Sequence, residues 1–398
     1  MRTFLHAGTV VRPDRVGLDC TIVLEDDRIV DVADGRQRGG AGDVDVDLRS
    51  RTVVPAFIDA HVHGVAGTDV LEGAGAVGRV AARLPQWGVA AFCPTSIACP
   101  ADVLISFLRD VATERQTLRP GSARVLAAHL ESNFLNPDLR GAQPLEYICP
   151  AAGPQQAGAI APSEILRVLD DWRSSIGIVT LAPETPGALD LVAKLVAAGL
   201  LVSLGHTGAS FEEARAAIHA GASRATHLFC AMRPLAHRDP GVVGAVLTHD
   251  HIHAELICDG VHVHPAVMRI AIAAKTPERI VAITDGTAAS GLPRGSKARL
   301  GNLTITAEDV ARLDGGGMGG SVLTMDRAFA TLVRQCDVDL VDAARMCATT
   351  PATDLRLAHH GCIEPGSIAD LAVLDSDLAV VETWIDGHRA WSVGATRV

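Results

Sequence analysis

The sequence predicts an α/β protein: a (β/α)8 barrel of the TIM type beside a small β-sandwich domain formed by both chain termini. Eight short apolar segments, spread from residue 53 to residue 285, alternate for the most part with helical windows. β-type patterning is confined to the first fifty residues and to the stretch after Pro351. A length of 398 residues gives room for one large unit and one small one. With 48% hydrophobic and 20% charged residues the chain must bury a sizeable core, which excludes disorder, collagen and coiled coil.

The elements follow in order. Thr21 to Glu25 and Arg28 to Val32 flank Asp26-Asp27, a hairpin signal. A Gly-rich polar stretch, Gly35 to Asp43, precedes Val53-Val54-Pro55, and the pattern changes there, placing a domain boundary near Thr52. The expected barrel strands are Val53 to His63, Val89 to Ser96, Arg124 to Glu131, Ile176 to Pro183, Leu200 to His206, Ser223 to His227, His253 to Asp259 and Arg279 to Asp285. The clearest helix is Phe211 to Ala220: Ser210 caps it, Glu213 completes a capping box and Gly221 ends it. Short strands return at Asp370 to Leu374 and Thr383 to Asp386, beside the turn Asp386-Gly387. The expected division is thus a β domain of residues 1–52 with 362–398 and a barrel of residues 53–361. Two Rossmann-like halves would need a G-x-G-x-x-G turn between strand and helix, and neither Gly73-Ala74-Gly75 nor Gly315 to Gly320 has that setting.

Charge narrows the partners. A formal net charge of -11 and the lack of a basic run with interleaved aromatics argue against nucleic acid. Met1 to Asp14 has no apolar stretch of the secretory kind, and the most apolar segment, Leu189 to Gly205, is broken by Lys194 and Gly199. Nine cysteines without a C-x-x-C pair read as thiols in a reducing compartment, and the expected location is the cytoplasm.

The chemistry-bearing residues fall at the C-terminal ends of the expected strands, the face on which barrel sites are built. His61 and His63 are two apart, so on a strand they face the same way and can share a metal. As a lone pair they also read as solvated strand-end histidines. Glu131 follows the apolar run Val125 to His129 and is costly to bury without a cation or hydrogen bonds. His206 and His227 end consecutive strands and would converge at the barrel mouth, where imidazole suits zinc or iron. Asp285, followed by Gly286, is a ligand or a general base for water. Structural histidines and exposed carboxylates are the alternative for each residue singly. Their joint placement at successive strand ends favours a metal-dependent site.

These residues carry a resemblance. Pro55-Ala56-Phe57-Ile58-Asp59-Ala60-His61-Val62-His63-Gly64 resembles the opening strand of the amidohydrolase superfamily. His129-Leu130-Glu131 with Phe134-Leu135-Asn136-Pro137 and Gly141-Ala142, Gly205-His206-Thr207 and Thr226-His227-Leu228-Phe229 with Ala231-Met232 are similar, in order, to N-acetylglucosamine-6-phosphate deacetylases. So are His237-Arg238-Asp239-Pro240-Gly241, Asp259-Gly260-Val261-His262-Val263, Thr284-Asp285-Gly286, Gly320-Ser321 with Leu323-Thr324-Met325, and Gly361 to Asp375.

The resemblance implies a divalent metal, zinc or iron, held by Glu131, His206 and His227, with His61 and His63 available to a second ion. Asp285 would be the general base. Asp259, His262, Ala142, Gln143, Cys230 and Ala231 would surround the sugar, and Met318, Gly319 and Gly320 would close over it. His237 and Arg238 would reach a phosphate in the neighbouring chain of a homodimer. Four positions depart from the family pattern: Ser132-Asn133 stands for the usual Gly-Pro, Cys230 for Asn, and Gln143 for the histidine beside the substrate carbonyl. An amide there donates a hydrogen bond but carries no charge. The implied reaction is hydrolysis of the N-acetyl amide of an amino-sugar 6-phosphate, without an organic cofactor. The alternatives are an unphosphorylated or different N-acyl amino sugar, another amidohydrolase reaction such as opening of a cyclic amide, and a non-catalytic binding protein on the same fold.

Overall fold

Eight parallel strands ring one axis in chain order: Phe57–Val62, Val89–Ser96, Ala128–Glu131, Ile176–Leu181, Leu201–Leu204, Arg224–Ala225, His253–Ile257 and Ile280–Ile283. They belong to a computed structural model that describes residues 1–117, 119–153 and 160–394; the last four positions of the expected terminal domain lie outside these. The first and eighth strands close the ring through single contacts. His63 N–H donates to Gly286 O at 2.8 Å, and Thr284 donates to Asp59 from its N–H at 3.2 Å and its hydroxyl at 2.6 Å. Strands buried on both faces read as near-continuous apolar runs, which is why all eight are visible in the sequence.

Two of the expected strands divide. The apolar run Val53 to His63 breaks at Ala56: Val44–Pro55 pairs with Arg2–Val11 and Leu371–Leu374 in the terminal sheet, and Phe57–Val62 starts the barrel. Arg124 to Glu131 breaks at Leu126-Ala127, leaving Arg124–Val125 as a short addition to Val89–Ser96. Hydrophobicity is continuous through both breaks, so only the pairing partners reveal them. One apolar cluster joins strand residues Phe57, Phe92, Leu130, Val179 and Val281 to helix residues Leu108, Ile165, Leu191, Met268 and Phe329.

The termini do combine. Seven strands form one hydrogen-bonded sheet in which Val44–Pro55 is shared, laddering with Arg2–Val11 from Val44 to Val53 and with Leu371–Leu374 from Thr52 to Pro55. A bulge lies at Gly8, where a Cβ would stand 2.1 Å from Arg49 O, so only glycine fits. Both expected turns are present: Glu25 pairs with Arg28 across Asp26-Asp27, and Ile385 with His388 across Asp386-Gly387, where both turn residues have positive φ. The helix Phe211–His219 carries the full Ser210/Glu213 capping box. A feature without a sequence expectation is the antiparallel sheet Lys297–Leu300, Leu303–Ala307 and Ala311–Leu313, inserted after the eighth strand. Among the described residues no helix is long and apolar enough to cross a membrane.

Candidate active site

The barrel's inner positions are polar where its outer ones are apolar. Asp59 and His61, then His129 and Glu131, repeat at the strand period of two, and all four are buried. At the C-terminal mouth Glu131 Oε1 lies 2.9 Å from His206 Nε2 and 2.8 Å from His227 Nε2. Beside it, Asp285 Oδ1 lies 3.2 Å from His63 Nε2 and 3.4 Å from His61 Nε2, and the two imidazole nitrogens are 3.1 Å apart. Glu131 touches both groups, with His63 Nε2 at 3.7 Å from its Oε2. The structure therefore assembles Glu131, His206, His227, His61, His63 and Asp285 from the ends of five strands.

Backbone conformation aims these side chains. His206, His227 and Asp285 have φ of 49°, 31° and 49°, the left-handed region that non-glycine residues seldom occupy. Such strain collects at functional sites, where the surrounding structure overdetermines it. Gly205 allows the approach at His206, since a Cβ there would lie 2.8 Å from both Thr180 Cγ2 and Thr226 Cβ.

The donor set suits a divalent cation. His206 Nδ1 donates to Leu139 O at 2.9 Å and His63 Nδ1 to Thr95 O at 3.0 Å, while His61 Nδ1 meets Glu255 Oε2 at 3.0 Å. Each of these three rings thus ties up its Nδ1 and turns its Nε2 to the centre; with no cation there Nε2–H faces the carboxylates, and in the neutral ring that nitrogen offers the lone pair a metal takes. Burial pushes the Glu131 carboxyl up, but the His206 charge and the hydrogen bonds from His206 and His227 hold it well below the usual range. Burial likewise opposes a charge on Asp285, and the His63 hydrogen bond with the His61 charge outweighs it.

A cleft of about 280 Å³ opens above this floor, lined by Ala142, Gln143, Cys230, Ala231, His262, Met318 and Gly320 among others. Asp259 is not in the lining; its carboxylate holds His262, accepting from Nδ1 at 2.6 Å and from the His262 N–H at 2.8 Å. Gly319 also stands back, donating its N–H to Ala311 O. The inserted sheet supplies Leu300 and Leu313 as an apolar wall, and Met318 next to it is 47% exposed. Burial pushes the Cys230 thiol up to about 12, so it is a neutral and weak donor. His237 and Arg238 lie outside, exposed on a turn braced by the Arg233–Asp239 ion pair. Among the described residues the lining holds no lysine or arginine.

Two departures from the family pattern are absorbed by hydrogen bonds. Ser132 Oγ donates to Thr180 O and accepts from Phe134 N–H, and Asn133 Nδ2 donates to Cys99 O and Tyr147 O, so neither side chain faces the cleft. Sequence reasoning missed the network beneath the floor. Glu255 receives the fully buried Arg224 at 2.7 Å as well as His61, and Arg224 is also ion-paired with Asp354. The signal was present: Glu255 interrupts the apolar strand His253–Ile257 much as Glu131 ends its own.

The amidohydrolase family profile matches residues 52–390. The chain belongs to the amidohydrolase family. It is 36% identical to the N-acetylgalactosamine-6-phosphate deacetylase of Escherichia coli O157:H7, over 84% of this chain and 87% of that one. It is 34% identical to the N-acetylglucosamine-6-phosphate deacetylase of Vibrio furnissii, over 86% and 84%. A solved variant of the Mycobacterium smegmatis N-acetyl-D-glucosamine-6-phosphate deacetylase, in complex with N-acetyl-D-glucosamine-6-phosphate, superposes with a TM-score of 0.87 at 32% identity, covering 98% of this chain and 99% of that one. This amidohydrolase thus shares fold and most of its length with amino-sugar-phosphate deacetylases.

Proposed function

We propose that the chain hydrolyses the N-acetyl amide of an amino-sugar 6-phosphate, N-acetylglucosamine 6-phosphate first among them, to acetate and the amino-sugar phosphate. The observation that carries this is the convergence of Glu131, His206 and His227 beside Asp285 on the floor of one cleft, in a member of this family. Glu131, His206 and His227 would hold one divalent ion, zinc or iron, and His61, His63 and Asp285 are placed to share a second. When bound, the ion supplies Lewis acidity toward the acyl oxygen and toward water.

The chain's own groups do the rest. Asp285 Oδ1 takes a proton from the attacking water as its oxygen bonds to the acyl carbon, and returns that proton to the sugar nitrogen as the C–N bond breaks. His262, fixed by Asp259, turns toward the sugar; Leu300, Leu313 and Met318 exclude water above it. In this reading residues 53–361 are the catalytic barrel, and residues 1–52 with 362–398 support its base. A homodimer would bring His237 and Arg238 of one chain to the phosphate held by the other, and the nine free thiols suit a reducing cytoplasm.

A cleft whose own lining lacks a cation favours a second reading, an unphosphorylated N-acyl amino sugar. Acetate release measured side by side on N-acetylglucosamine 6-phosphate, its galactosamine and mannosamine analogues and the plain sugars decides between them. Turnover confined to the phosphorylated sugars supports the proposal, and equal turnover of plain sugars supports the second reading. No acetate from any of them overturns both.

A further inference from the structure

Gln143 stands where the family resemblance places a histidine beside the substrate carbonyl, and its surroundings point elsewhere. The residue is 3% exposed and its backbone is pinned twice, the N–H donating to Arg140 O at 2.9 Å and the carbonyl accepting from Arg140 Nη1 at 3.2 Å. Its Oε1 accepts the Ala98 N–H at 2.7 Å, which fixes which end of the amide is which. The Nε2 then faces Glu131 and donates to Oε2 of that carboxylate. The other Glu131 oxygen, Oε1, meets His206 and His227. The two carboxylate oxygens therefore have separate duties, and one Gln143 N–H is committed to keeping them apart.

We propose that Gln143 is a positioning residue for Glu131, holding the carboxylate so that Oε1 alone is offered to the metal, and that the histidine's place beside the carbonyl is not the one it fills. The proposal rests on the reading that Glu131, His206 and His227 form the metal site. Without a donor at Oε2 the buried carboxylate would lose a hydrogen bond and be free to rotate, and its two oxygens would exchange places. Because Ala98 follows the second strand, the amide also ties a ligand of the third strand to its neighbour's loop. A neutral amide suits this duty. It donates at every pH and, unlike a protonated imidazole, sets no positive charge beside the cation.

Zinc ion titrated into the metal-stripped full-length chain, in competition with a chromophoric chelator, reads the effect directly. Gln143→Ala and the length-conserving Gln143→Met are each expected to weaken zinc binding about 10- to 100-fold, the range for losing a hydrogen bond to a metal ligand. At saturating zinc most of the kcat lost at limiting zinc is expected to return in both, the mark of a residue that acts through the metal ligand. The proposal is overturned if zinc Kd in either folded variant stays within twofold of the parent. A drop in kcat at saturating zinc without a change in Kd would assign Gln143 to the substrate instead. A parent chain that takes up no zinc would bring down the metal-site reading itself, an outcome distinct from an unchanged variant.

Discussion

At the scale of single residues, the site is a set of polar groups that are costly to bury separately and that justify one another together. Glu131 is 2% exposed with imidazole nitrogens on one oxygen and an amide on the other. If these residues hold the proposed ion, removing one would leave the cradle without a full coordination set. Glu131→Gln and His206→Asn are each expected to lose most bound divalent metal and nearly all turnover, measured by metal analysis and acetate release. Near-normal occupancy and activity in both would remove the site assignment. Asp285→Asn is expected to keep the fold and the ion at Glu131, His206 and His227 but lose about 10² to 10⁴ in kcat, the range for a general acid-base group, with substrate binding largely retained. Wild-type turnover in that variant would make Asp285 structural. The cluster was legible in the sequence because each candidate ligand ends or interrupts an apolar strand, a position that water cannot reach cheaply. Asp259 and Gln143 were placed near the substrate only by resemblance. Their actual partners, His262 and Glu131, are set by loop conformation, which spacing along the chain does not encode.

At the scale of elements, the barrel depends on how its first and last strands meet. Asp59 stands at that seam, fully buried, accepting from the Thr284 hydroxyl and N–H. Burial raises its carboxyl to about 7 from an ordinary 3.8, with the Thr284 hydrogen bonds opposing. The folded chain thus keeps a proton that the unfolded chain releases, so this residue's contribution falls as pH rises from about 4 to about 7. Relative to Asp59→Asn, whose amide does not titrate, the parent is expected to lose stability over that window, by an amount on the order of a few kcal/mol. Urea midpoints of both proteins at several pH values test this; parallel curves would rule Asp59 out. Strand number and order were legible because parallel strands covered on both faces are apolar runs of strand length. The break at Ala56 was not, because the run continues across it while the hydrogen-bond partners change from the terminal sheet to the barrel. The inserted sheet at Lys297–Leu313 was missed for the opposite reason. Lys297, Arg299 and Arg312 dilute its apolar positions, so its strands carry little hydrophobic signal.

At the scale of the whole molecule, the proposed anionic substrate and an anionic protein must be reconciled. The chain carries a formal net charge of -11, and its cleft shows no arginine or lysine among the described residues. A phosphate bound there needs a cation from elsewhere, and Arg238 is a candidate on an exposed turn held in shape by the Ala236–Asp239 backbone bonds and the Arg233–Asp239 pair. An exposed arginine gains little on its own chain, whereas its planar fork placed against a phosphate donates two charge-assisted hydrogen bonds. Arg238→Ala is therefore expected to raise KM for a phosphorylated sugar at least about tenfold, a loss of about 1.4 kcal/mol, and to leave a plain sugar nearly unaffected. Whether the cation acts within its chain or across a dimer is separable by mixing. Two variants, Arg238→Ala and Asp285→Asn, each lack one part of every site. In a two-fold dimer containing one of each, one cleft has Asp285 from its own chain and Arg238 from the other. With random reassortment half the dimers are mixed and one of their two clefts is complete, so at low substrate activity should return to about a quarter of the parent level. No recovery on mixing, with dimers exchanging subunits, would confine Arg238 to its own chain. Equal loss on phosphorylated and plain sugars in Arg238→Ala would remove the phosphate role altogether and leave the plain amino sugar as the better substrate.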